Sequence, residues 1–246
     1  MTEHLAWLVL AVGLVAFLYS SVGHAGASGY IAVMGLAALS PVLVKPTALV
    51  LNVLVASIGS WHFLRAGHFR WRLFWPFALL SIPRAFLGGA LDLPTDWFKR
   101  LVGAVLLASA VNFLWHPAEA SPRGEPPLPA ALATGGALGL LAGLTGTGGG
   151  IFLTPLMLLM RWARTREVAA TSVVFILLNS LAGLAGNASA ARAIPGLAWP
   201  LAAAALLGGT LGSRLGSRVL PPTAIKRLLA VVLAIAGVHM LRSTWA

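Results

Sequence analysis

The chain has 246 residues, 59% of them hydrophobic and 9% charged, with seventeen lysines and arginines against six acids and a net charge of +11. Soluble domains carry about 25% charged residues, and a chain this size has too little core to hide so much apolar surface. A soluble enzyme and a nucleic-acid module are therefore excluded, and the absence of cysteine excludes disulfides, thiolate metal sites and cysteine nucleophiles.

In chain order, the apolar segments of the first half fall at 5–22, 29–44, 47–64, 72–90 and 97–115. The N-terminal stretch "MTEHLAWLVLAVGLVAF" lacks a basic n-region and reads as a retained first helix. A Pro-rich, charged stretch, "HPAEASPRGEPPLP" (116–129), follows and reads as a cytoplasmic linker. The second half has segments at 130–146, 148–160, 168–186, 196–213 and 224–242. Runs 5–19, 47–59, 101–115 and 196–212 carry no charge, and each approaches a hydrocarbon span at about 1.5 Å per residue. The predicted fold is an all-α polytopic membrane protein in the inner membrane, with repeats at 1–115 and 130–246.

The halves resemble each other. "FWPFALLSIPRAFLGG" (74–89) aligns with "AWPLAAAALLGGTLGS" (198–213), and "FKRLVGAVLLASAVNFL" (98–114) with "IKRLLAVVLAIAGVHML" (225–241). Five segments per half, an odd number, predicts two inverted-topology repeats. Loop charge agrees with that expectation. "RAGHFRWR" (65–72) is basic while its counterpart "GNASAARAIPG" (186–196) has one arginine; "RWARTR" (161–166) is basic while "LSPVLVKP" (39–46) has one lysine. Positive loops mark the cytoplasmic side, so both termini are expected outside.

Two glycine-rich stretches interrupt the apolar runs at matching places: "SVGHAGASGYIAV" (21–33) and "GLTGTGGGIFLTP" (143–155). Glycine lets a chain turn sharply, and a helix starting at the turn points its N–H groups and positive dipole end at that place. Short, broken segments in corresponding positions of inverted halves point to a transporter binding site. One such cluster alone is ordinary close packing; two matched clusters flanked by hydroxyls predict an anion site. The candidate residues are His24, Gly26, Ser28 and Gly29 in the first stretch, and Thr145, Thr147, Gly148, Gly149 and Gly150 in the second.

Further candidates lie in the longer segments. Asn52, Ser172 and Asn179 either line a pathway or join helices. His24 either serves an anion or a proton, or makes a structural bond to a carbonyl. Arg84 sits midway along the fourth segment, where a charge is costly. It either faces the pathway as a fixed cation or snorkels to the outer interface.

All six acids, Glu3, Asp92, Asp96, Glu119, Glu125 and Glu167, fall at ends or loops. No HExxH, P-loop or GxSxG is present. No enzyme activity, metal or cofactor is expected.

"GLTGTGGGIFLTPLML", "VGHAGASGYIAVMGL", "KPTALVLNVLVASIGSW" and "SIPRAFLGG" resemble the TauE/SafE sulfite exporter family, also called the toluene sulfonate uptake permease family, the glycine-rich motif of each half being the most specific part. The resemblance covers nearly the whole chain. It implies movement of sulfite, sulfoacetate or related sulfur-containing organic anions across the cytoplasmic membrane. It carries over Gly23 through Gly29, Gly143 through Gly150, and Asn52 in "ALVLN". The expected function is secondary transport, in the export direction, of such an anion bound at mid-membrane. Expected partners are the small anion, the bilayer and a second copy of the chain, with no nucleic acid. The competing expectations are a scaffold or assembly subunit without transport and an intramembrane enzyme; the latter needs a nucleophile, acid pair or metal cluster that His24 alone does not supply.

Overall fold

The computed structural model describes residues 2–37, 39–91, 94–115, 122, 124–190, 194–218 and 222–242. Half of the linker expected at 116–129 lies outside the described residues. The described chain forms ten helices: α1 (Thr2–Ser20), α2 (Ala27–Leu36), α3 (Pro41–Arg65), α4 (Trp71–Ala90), α5 (Thr95–Trp115), α6 (Leu128–Thr145), α7 (Gly150–Leu159), α8 (Thr165–Ser189), α9 (Ala198–Arg218) and α10 (Pro222–Arg242). Among the described residues, α4, α6, α8 and α3 from Val42 onward are long and apolar enough to cross a membrane by length and composition. The exterior is correspondingly apolar: Leu10, Leu14, Trp199, Leu207 and Ile235 are all exposed.

Two boundaries differ most from the expected ones. The second segment ends at Leu36, not 44, and residues 41–46 belong to α3. Ser40 is extended at the N-cap and Pro41 occupies the first turn, where its missing N–H costs nothing. Pro46, further along, is tolerated within the helix at the loss of one backbone bond. The third segments therefore have equal length, with 25 residues each in α3 and α8, and α2 and α7 are equally short, with 10 residues each.

Glycine stripes set the helix packing. Gly135, Gly139 and Gly143 of α6 lie on the backbone of Phe77, Ser81 and Ala85 of α4. Gly208, Gly212 and Gly216 of α9 lie on Gly13, Phe17 and Ser21, along and just past α1. A methyl group at any of these glycines would run into backbone, so small residues are what allow the approach. Both pairings ascend together, so each pair is parallel. Val55 and Gly59 of α3 meet Gly209 and Ser213 of α9 in the same sense. Asn52 meets Ser180, and Gly59 meets Val173, in reverse order, so α3 and α8 are antiparallel. Gly103 against Leu241 and Gly237 against Leu107 make α5 and α10 antiparallel too.

Since α1 and α3 both run parallel to α9, the chain must return between them. It does so through the turn 21–26 and α2, whose 10 residues span only about 15 Å. The turn before α7 and α7 itself do the same before α8. Helix pairs recur when each helix is exchanged for the one five later: α4 with α6 and α1 with α9, α4 with α8 and α3 with α9, α7 with α8 and α2 with α3.

Arg70, just before α4, reaches Glu125 at 3.1 Å and Glu167 at 3.7 Å. Glu167 also accepts from the backbone N–H of Arg164 at the start of α8. These contacts gather the ends of 65–72, the linker and 161–166 on one face.

Candidate functional site

The two glycine-rich stretches meet in the interior. Residues 23–32 and 145–154 are buried throughout. Each short helix starts from a glycine in the left-handed region, Gly26 (φ 100°) for α2 and Gly149 (φ 82°) for α7, and neither N-cap supplies a side-chain hydrogen bond. The first-turn N–H groups of a helix have no partner within it. Both helix starts are buried and have no side-chain cap, and the positive dipole end of each helix lies there.

His24 ties the stretches together. Its Nε2 lies 3.2 Å from the carbonyl oxygen of Gly150, the first residue of α7. A carbonyl only accepts, so Nε2 carries the hydrogen and the bond fixes the tautomer. Both His24 and Ser28 are 2% exposed. Ser28 donates from Oγ to the Tyr19 hydroxyl at 3.1 Å, and the Tyr30 hydroxyl donates to Ala25 O at 2.5 Å. Gly29 packs against Val15 and the Tyr19 ring, and Gly26 against the Tyr30 ring.

On the α7 side, Gly148 lies against Asn52 and Ser180: a Cβ there would stand 3.0 Å from Asn52 Nδ2 and 2.7 Å from Ser180 Oγ. Asn52 donates to Ser180 Oγ at 3.3 Å, joining α3 to α8 at their crossing. Gly149 faces the Phe175 ring, and Gly150 faces Ile176 and the Ser172 carbonyl. Ser172 accepts from Thr154 Oγ1 at 2.7 Å. Thr145 donates to Leu141 O at 2.6 Å and its hydroxyl lies 2.8 Å from that of Thr147. Asn179 donates to Phe175 O at 2.8 Å. Its carbonyl oxygen, like that of Asn52 and like His24 Nδ1, is buried with no hydrogen-bond partner.

Arg84 is placed elsewhere. It is exposed on the outer face of α4, among exposed Leu80, Phe86 and Leu87, with its guanidinium laid over Gly136 of α6. The structure does not bring it to the buried cluster. The reason is helical phase: the inward faces of α4 are taken by Ser81, Ala85, Gly88 and Gly89, which must contact α6 and α8 closely.

The structure adds residues that sequence reasoning passed over. Ser180 completes the Asn52 contact. The chain's only two tyrosines, Tyr19 and Tyr30, bracket the first stretch, a signal present in the sequence. Lys45, read as a loop charge, lies within α3 and is buried. Its Nζ donates to the carbonyls of Gly88 (3.2 Å), Gly89 (3.1 Å) and Leu91 (2.8 Å) at the end of α4, and its stem lies on Gly146. A cation at that end meets the negative pole of the helix. Thr47 was passed over too; it and Thr171, which the sequence already places beside Ser172, stand at equal positions along α3 and α8, both fully buried with unpartnered hydroxyls.

The family model described as Sulfite exporter TauE/SafE matches residues 8–240. A curated relative from Sinorhizobium fredii (strain NBRC 101917 / NGR234), named "Probable membrane transporter protein y4hK", is 41% identical over 241 residues, covering 95% of this chain and 97% of the relative. No solved structure matches the chain. The chain belongs to the TauE/SafE sulfite exporter family.

Proposed function

We propose that this membrane transporter moves small sulfur-containing oxyanions, sulfite or an organosulfonate such as sulfoacetate, outward across the inner membrane. The anion sits between the first turns of α2 and α7. The observation that carries this reading is the meeting of two buried helix starts, each led by a left-handed glycine with no side-chain cap and joined by His24 to Gly150. Each helix N-terminus supplies about half a positive charge, so the pair balances about one negative charge. Hydroxyls of Ser28 and Thr147 and the Asn52–Ser180 pair stand beside these turns to complete the shell.

The membrane arrangement is part of the proposal. Corresponding helices α3 and α8, and α5 and α10, run in opposite directions, which supports inverted repeats with α1–α2 and α6–α7 entering from opposite sides. The face gathered by Arg70, Glu125 and Glu167 is then cytoplasmic, in keeping with its arginines. Transport is tested with liposomes containing only this protein. Sulfite or sulfoacetate flux above that of protein-free liposomes is expected, with chloride a poor competitor. Absence of protein-dependent flux for both anions would leave the scaffold reading in its place.

A further inference from the structure

We propose that each transported anion travels with one proton, held on Nδ1 of His24; this rests on the reading that an oxyanion binds at the starts of α2 and α7.

Nε2 faces the Gly150 carbonyl. With the anion site empty, the neutral ring has its hydrogen on Nε2 and a lone pair on Nδ1 that no donor meets. A carbonyl cannot satisfy a lone pair, but it can accept from an N–H. Nδ1 is thus left without a partner, and once protonated it would donate to a bound oxyanion.

The counter-charge is what is missing. Around the ring, α1 contributes Tyr19, whose ring stands edge-on at 6.4 Å, and α2 contributes Tyr30, whose hydroxyl is committed to Ala25 O. From α7 the ring meets a backbone carbonyl. The neighbouring turn of α8 places Ala169 against Gly23, and Glu167 below it is held by Arg164 N–H and Arg70 at the surface. No carboxylate faces the ring among the described residues. An isolated buried charge is too costly to persist. A bound anion removes that cost, and the imidazolium in turn supplies the positive charge that two helix ends lack for a dianion. Proton and anion thus favour each other's binding, and by linkage the coupling is reciprocal. Only N–H and O–H bonds change: the proton comes from water or from the protonated oxyanion on one side and returns to water on the other.

The test uses the full chain in liposomes with a pH-sensitive dye inside and sulfoacetate as the anion, which forms no membrane-permeant SO2. Outward sulfoacetate flux is expected to raise lumen pH, with about one proton lost per anion beyond that of protein-free vesicles. Above the titration range the rate should fall about tenfold per pH unit. His24→Gln keeps a donor for Gly150 O but holds no titrating proton; any flux it retains should be flat across pH 5.5–8 and leave lumen pH unchanged. Anion flux by the wild type without proton movement overturns the proposal while leaving anion transport standing, and it needs no variant. A His24→Gln protein with the wild-type pH profile overturns it as well. If no anion moves at any pH, the transport reading fails and this one with it.

Discussion

At the scale of single residues, position relative to the buried cluster decides what a substitution does. Arg84 was the sharpest charge in the sequence, yet its guanidinium lies outside, over Gly136. Arg84→Gln is expected to leave sulfite or sulfoacetate flux within about twofold of wild type. Ser180→Ala is a smaller change at a site that matters more. It deprives Asn52 Nδ2 of its acceptor at the α3–α8 crossing, and a buried donor left unpaired costs about 1–3 kcal/mol. Flux should fall at least tenfold, and detergent-solubilised protein should unfold at a lower temperature. The reverse ranking would mean that the pathway runs along the outer face of α4. Periodicity could not have told these two apart, because a mid-segment arginine has no sequence mark for which way its side chain projects. Lys45 shows the same blindness from the other side. Beside Pro41 and Pro46 it reads as a loop residue, and only the fold reveals it donating to the last carbonyls of α4.

At the scale of elements, the half-length helices depend on the glycines that start them. Gly148 has φ 71° and abuts Asn52, Ile176 and Ser180, whereas Gly67 has φ 73° with nothing near it. A non-glycine residue in the left-handed region costs about 1–2 kcal/mol in either place. Gly67→Ala should cost that much and no transport. Gly148→Ala adds a collision with the amide and hydroxyl pair, so it should cost more stability and abolish flux. Equal loss of stability in both variants, with flux intact, would reduce the second stretch to ordinary packing. Gly149 is a poorer place to probe, since any side chain there also meets Phe175 and Ala142.

The two broken stretches were legible in the sequence because glycine clusters in apolar surroundings are local signals, and so were ten segments. The division between α2 and α3 was not legible: Pro46 marks a break by local rule, but the helix runs through it from Pro41. Which buried groups meet across the stretches, His24 with Gly150 and Asn52 with Ser180, depends on contacts between residues more than 120 positions apart, and single-sequence spacing carries no information about them.

For the whole molecule, the proposed topology can be read from outside the cell. With both termini outside, His68 lies on the cytoplasmic face and Gly196, with open space around it, on the external one. In intact cells a membrane-impermeant thiol reagent should label Gly196→Cys and leave His68→Cys unlabelled until the membrane is opened; the opposite pattern would invert the orientation. The central claim is that one oxyanion is held by both short helices at once. Selenite is the heavier congener of sulfite, and its anomalous scattering locates it without ambiguity. A crystal structure of the full chain with selenite should show one peak within hydrogen-bond distance of the first-turn backbone nitrogens of α2, at residues 27–29, and of the α7 start at Gly150. A peak beside Arg84 on the outer face of α4, with none between the two helix starts, would contradict the account.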